Sequence, residues 1–154
     1  QLAVSHIHFG GGSPSTLLPA QLEHLMDALE TAFAIMPSAE LAMELDPRTT
    51  TPQLISVLAA RGFNRASLGV QDFNPKVQDI IHRVQPLALV QSVMDGLRTA
   101  GINALSLDLM YGLPEQTPES LRQTAQQAIS LHPSRLSLFS YAHVPSFKTY
   151  QKAL

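Results

Sequence analysis

The chain reads as an α/β protein, a partial (β/α) barrel of parallel strands with about five βα units, on three observations. Short apolar or β-branched runs alternate with longer amphipathic stretches. Proline opens the amphipathic stretches and glycine closes them. Three of the runs carry one oily face and one polar face. With 154 residues, 45% of them hydrophobic, there is material for one sizeable core, so a single domain over residues 1–154 is expected.

The first run, Leu2–Phe9, starts directly after Gln1 with no initiator Met, which reads as an internal segment of a longer protein. A glycine turn, Gly10-Gly11-Gly12-Ser13-Pro14, leads to a helix beginning around Leu18. The second strand is expected at Glu40–Leu45. Its successor helix starts at Thr51-Pro52, an N-cap residue followed by proline, and ends at Arg61 before Gly62. The third strand is Arg65–Gln71, followed by a helix from Asn74-Pro75 that reaches Arg83, and by one ending at Ala100 before Gly101. Ala104–Met110 is the fourth strand, Thr117-Pro118 starts the next helix, and Arg135–Tyr141 is the fifth strand.

The strand faces separate two architectures. Side chains alternate along a strand, so Leu41, Met43 and Leu45 share one face while Ala42, Glu44 and Asp46 share the other. Ala66, Leu68 and Val70 stand against Ser67, Gly69 and Gln71, and Leu105, Leu107 and Leu109 against Ser106 and Asp108. An open doubly wound sheet is covered by helices on both faces and tends to be apolar on both. A barrel packs helices outside only and tolerates a polar lumen, which favours the barrel here.

Composition narrows the function classes. A formal net charge of -2 with only three lysines gives no footprint for nucleic acid. No apolar run approaches the roughly 20 residues of a membrane span, and no signal-peptide pattern opens the chain, so a cytoplasmic protein is expected. The chain has no cysteine, hence no disulfide and no thiolate metal ligand within these residues. His6 and His8 share a strand face, but no third ligand has convincing spacing, and no metal is assigned.

Glu44, Gln71 and Asp108 fall at or near the carboxyl ends of three successive strands on the polar side, where barrel enzymes place their sites. Two acids in one cavity need donors or a cationic ligand to offset their desolvation, which points to a ligand bearing ammonium or hydroxyl groups. The glycine turn exposes backbone N–H and C=O groups to a ligand, although it matches neither the dinucleotide fingerprint nor the P-loop. Taken alone, Arg83 reads as a solvated cation at a helix C-terminus.

Five strings occur in order: His8-Phe9-Gly10-Gly11-Gly12-Ser13-Pro14-Ser15, Glu44-Leu45-Asp46-Pro47, Gly69-Val70-Gln71-Asp72-Phe73-Asn74, Asp108-Leu109-Met110-Tyr111-Gly112-Leu113-Pro114 and Tyr141-Ala142-His143-Val144-Pro145. Together they resemble the oxygen-independent coproporphyrinogen III oxidases of the radical S-adenosylmethionine (SAM) superfamily. The resemblance implies a partial barrel in which a [4Fe–4S] cluster cleaves SAM to a 5′-deoxyadenosyl radical, and in which coproporphyrinogen III loses two carboxyl groups to give protoporphyrinogen IX. It implies two SAM molecules, with Gly11 and Glu44 at the first and Gly12, Ser13, Gln71, Arg83, Asp108 and Ala142 at the second. It implies an electron donor for the cluster and a monomeric full-length enzyme. The family's C-x3-C-x2-C cluster loop is absent, its place falling before Gln1, so these residues alone are expected to be inactive. Ser13 stands where threonine is common in the family. A haem-binding chaperone of the same superfamily and a non-catalytic SAM-binding fragment are the alternative readings.

Overall fold

The computed structural model describes residues 1–142, so His143, Val144 and Pro145 of the last string lie outside the described residues. The elements alternate along the chain: strand β1 (Leu2–Phe9), a 3-10 turn (Pro14–Thr16), α1 (Pro19–Ala32), β2 (Phe33–Leu45), α2 (Pro52–Ala60), β3 (Arg65–Gln71), α3 (Pro75–Ile80), α4 (Leu87–Thr99), β4 (Ala104–Tyr111), α5 (Pro118–Ser130) and β5 (Arg135–Ser140). All strand pairs are parallel, and the sheet order β1-β2-β3-β4-β5 follows the sequence order. The five strands curl into a half-barrel.

Alternation decides which face is buried. Leu41, Met43, Leu45, Ala66, Leu68, Val70, Leu105, Leu107 and Leu109 all point into one core with Leu22 and Met26 of α1, Leu54 and Leu58 of α2, and Val90, Met94 and Leu97 of α4. Helix residues spaced three or four apart supply the matching stripes. The other face of the three middle strands carries Glu44, Ser67, Gly69 and Asp108, half-buried and facing the hollow of the curl. Polar side chains sit there because no helix among the described residues covers that side.

Helix starts follow side-chain capping of free N–H groups. Thr51 Oγ1 accepts from Leu54 N at 3.2 Å and Asn74 Oδ1 from Lys76 N at 2.9 Å. At α5, Thr117 Oγ1 accepts from Ser120 N at 3.1 Å while Ser120 Oγ accepts from Thr117 N at 2.9 Å, a reciprocal capping box. Thr117→Ala should therefore cost about 1 kcal/mol of stability, read as a lower urea midpoint, with Thr117→Ser close to wild type.

Two boundaries differ substantially from the expectation. Strand β2 begins at Phe33, seven residues before Glu40. Its first part pairs Phe33–Ile35 with Leu2–Val4; the ladder then breaks and resumes at His6 with Glu40, so β2 carries three more residues than β1 across the break. Pro37 lies in that bulged stretch and has no N–H for a ladder, which also interrupts the alternation by which strands are recognised. The second difference is α3, which ends at Ile80. His82 takes a positive φ, left-handed backbone that stops a helix, and Arg83 lies beyond it in a loop, not at a helix terminus.

Candidate functional site

The glycine turn, the carboxyl ends of β2, β3 and β4, and the loop after α3 meet at the open end of the hollow. They enclose a cavity of about 140 Å³, lined by Gly12, Ser13, Pro14, Glu44, Leu45, Asp46, Ser67, Gly69, Gln71, Arg83 and Asp108. That is room for roughly five water molecules, enough for one polar head group. Six of the eight residues singled out in the sequence line it: Gly12, Ser13, Glu44, Gln71, Arg83 and Asp108. Gly11 touches it through Glu44, and Ala142, exposed after β5, is not among its lining residues.

Local backbone chemistry builds each wall. Gly11 and Gly12 both have positive φ, a conformation that only glycine adopts without strain in succession. Their turn directs Gly11 N–H at Glu44 Oε2, 3.2 Å away. Glu44 Oε1 meets His8 Nε2 at 3.3 Å. A Cβ on Gly10 would lie 2.8 Å from both Glu44 Oε1 and His8 Nε2, so the bare backbone there lets this carboxylate sit against the turn.

At the end of β3, Gln71 also has a positive φ, and Asp72 N donates to Val70 O at 2.9 Å, closing a γ-turn centred on Gln71. That turn is strained for a residue with a side chain. It is held by Asp72, fully buried, whose carboxylate accepts from Asn74 N (2.6 Å), Thr124 Oγ1 (2.7 Å) and Gln116 Nε2 (2.5 Å). Ser67 Oγ donates to Asp108 Oδ2 at 2.7 Å, and Asp108, which lines the cavity, keeps Oδ1 without a hydrogen bond among the described residues.

The cationic wall combines three elements. Asp46, 7% exposed, accepts at Oδ1 from Arg48 N (2.9 Å) and Arg48 Nε (3.0 Å), and at Oδ2 from Arg48 Nη2 (2.7 Å) and Arg83 Nη2 (3.3 Å). Arg83 Nη2 also donates to Gly69 O at 3.0 Å, and Arg83 Nε is buried with no partner among the described residues. Burial pushes the Asp46 carboxyl up, but the Arg48 hydrogen bonds and the charges of Arg83 and Arg48 outweigh it and hold Asp46 below its ordinary value. Burial lowers the Arg83 guanidinium; Asp46 opposes that and Arg48 adds to it.

Asp46, Arg48, Ser67, Gly69 and His8 were not singled out as site residues. Asp46 and Arg48 had a readable signal, an acid and a base two apart just beyond a strand end. The bridge to Arg83, 37 residues away, had none. Among the described residues no group of three or more His, Cys, Asp or Glu is placed to hold a metal, and no helix is long and apolar enough to cross a membrane.

Comparison with known proteins agrees with this architecture. The family model of the radical SAM superfamily matches residues 1–128. The oxygen-independent coproporphyrinogen III oxidase of Bradyrhizobium diazoefficiens is 47% identical over 154 residues, covering 100% of this chain and 34% of that protein. Its counterpart in Escherichia coli is 41% identical over 151 residues, 98% of this chain and 33% of that protein. The solved structure of the Escherichia coli coproporphyrinogen III oxidase, a radical SAM enzyme, superposes with a TM-score of 0.95 at 41% identity over 99% of this chain and 35% of that one. An archaeal Elp3 from Methanocaldococcus infernus shares the fold at a TM-score of 0.75 and 15% identity, over 96% of this chain and 40% of that one. This chain spans about a third of the length of the two oxidases. It belongs to the radical SAM superfamily, and its half-barrel resembles that of the oxygen-independent coproporphyrinogen III oxidases.

Proposed function

We propose that this chain is one unit of an enzyme that converts coproporphyrinogen III to protoporphyrinogen IX without oxygen, and that its cavity binds SAM. The observation that carries the reading is the polarity of the cavity: the Glu44 and Asp108 carboxylates line it together with the guanidinium of Arg83. The methionyl end of SAM is a zwitterion, and such a cavity offers a partner to each of its charges.

The residues fit that ligand on three counts. Arg83 lines the cavity with Nη2 committed to Asp46 and Gly69 O, and Nη1, which makes no hydrogen bond among the described residues, is left for a carboxylate. Asp108 Oδ1 is open to an ammonium or hydroxyl group. The missing Cβ atoms at Gly10 and Gly69 keep the walls clear of side chains that would crowd Glu44 and Arg83. When bound, SAM supplies the hydrogen-abstracting radical chemistry of this superfamily. The chain's own residues do the holding: Gly11 and Glu44 orient the ammonium of one SAM, while at the second Arg83 orients a carboxylate, Asp108 accepts from an ammonium or hydroxyl group, and Gly12 and Gln71 flank it. Two SAM molecules, with Ser13 and Ala142 among the contacts of the second, belong to the same proposal.

A [4Fe–4S] cluster takes thiolate ligands, which this chain lacks, so no contact to the cluster is assigned to its residues and no step is derived through it. An electron donor for the cluster, a monomeric enzyme and a cytoplasmic location complete the reading.

The test is SAM titration of the natural gene product under anaerobic conditions, alongside the rate of porphyrinogen decarboxylation. Glu44→Gln and Arg83→Ala should each weaken SAM binding roughly 10- to 100-fold, the size of a lost charge-assisted hydrogen bond, and lower the rate in parallel. Unchanged SAM affinity in both variants would remove the cavity from the binding site.

A further inference from the structure

We infer that Asp46 is a positioning residue, a buried anchor that holds the Arg83 guanidinium at the cavity wall with its remaining N–H groups ready for an anionic group of the ligand. The inference rests on the SAM reading of the cavity and adds to it a role for two residues outside the ligand's contacts.

Asp46 Oδ2 is shared between Arg48 Nη2 at 2.7 Å and Arg83 Nη2 at 3.3 Å. Arg83 Nη2 has two protons, and both are used, one on Asp46 and one on Gly69 O at 3.0 Å. The guanidinium plane is thereby fixed from one end, while Nε remains without a partner among the described residues. Where Arg83 crosses β3 the strand has glycine: a Cβ on Gly69 would stand 3.3 Å from Arg83 Nη2 and 3.0 Å from Gln71 Nε2. The strand is bare where the arginine needs to lie.

Charge points the same way. Asp46 carries one negative charge against the two positive charges of Arg48 and Arg83, so the cluster keeps one formal positive charge. Arg48 is committed elsewhere, with Nη1 on His82 O at 3.0 Å, and it fastens the loop that carries Arg83. The surplus charge therefore resides at Arg83, on the cavity wall, where a ligand carboxylate offsets it. Arginine has a long, rotamer-rich side chain, and without Asp46 ligand binding would have to freeze it. With Asp46 that ordering is done in the folded protein.

The experiment uses the natural gene product, prepared without oxygen and titrated by calorimetry with SAM and with decarboxylated SAM, which retains the amine and sulfonium but has no carboxylate. Asp46→Asn is expected to weaken SAM about tenfold, to leave decarboxylated SAM within about twofold, and to add nothing once Arg83→Ala is present. Equal losses for both ligands, or additive losses in the double variant, would mark a general structural role and overturn the inference. Should Asp46→Asn fail to fold, Arg48→Gln, which removes the brace from outside the cavity, is held to the same pattern. Full SAM affinity in Arg83→Ala would sink the SAM reading at this wall and the inference with it. A loss in Arg83→Ala with none in a folded Asp46→Asn would sink the inference alone.

Discussion

Replacing Asp72 by alanine is expected to remove about 3 to 5 kcal/mol of folding stability, because three donors lose one acceptor at once and each buried unpaired group costs about 1 to 3 kcal/mol. Asp72 is fully buried at the turn that ends β3. Its partners come from three places: Asn74 N on the helix it precedes, Gln116 Nε2 on the loop after β4, and Thr124 Oγ1 on α5. Thr124 Oγ1 in turn accepts from Phe73 N at 3.2 Å, and Gln116 reaches Met110 O at 2.9 Å and Gly112 N at 2.7 Å. One carboxylate thus ties β3 to β4 and α5 behind Gln71. Asp72→Asn keeps one acceptor but turns an amide N–H₂ toward a donor, so it should lose about half as much. Urea unfolding followed by circular dichroism measures both. A loss below about 1 kcal/mol for Asp72→Ala would show that water replaces the carboxylate.

Asp46→Ala should cost about 3 kcal/mol at neutral pH, the scale for breaking a buried ion pair from one side. The pH dependence follows from the direction of its shift. The folded-state value lies below the ordinary 3.8 because Arg48 and Arg83 outweigh burial. A depressed carboxyl contributes stability that is complete above its unfolded value and disappears as pH falls through the folded one. Wild type should therefore lose stability on acidification below about pH 4, and Asp46→Asn should start lower and lose less across that window. The check is thermal or urea unfolding at a series of pH values from neutral to about pH 2 for both proteins. Parallel curves would mean that Asp46 is not the group responsible.

Sequence patterns disclosed the parts of this fold that short-range physics controls. Arg65–Gln71 has the expected limits because burial alternates residue by residue along it and turns bound it, and Thr51, Asn74 and Thr117 cap helices by contacts within three residues. Glu44, Gln71 and Asp108 were readable as cavity residues because strand alternation sets their side. The start of β2 was hidden, since Pro37 interrupts the pattern and the first ladder segment is fixed by pairing with β1. Arg83 was misplaced for a related reason: helix rules carried it to the end of α3, whereas its position depends on Asp46 and Gly69 O, partners far away along the chain. The γ-turn at Gln71 was equally invisible, because the residue that holds it, Asp72, draws its partners from segments 44 and 52 residues downstream.

Strand order identical to chain order has a consequence for synthesis on the ribosome. As each strand leaves the exit tunnel, the strand that it pairs with has already emerged, and none of β1 to β5 must wait for later sequence to be slotted between existing neighbours. Growth can therefore be vectorial, each βα unit docking on the edge left by the one before. The loop closed at every step is one crossover, so the entropy of forming the sheet is met in small instalments as translation proceeds.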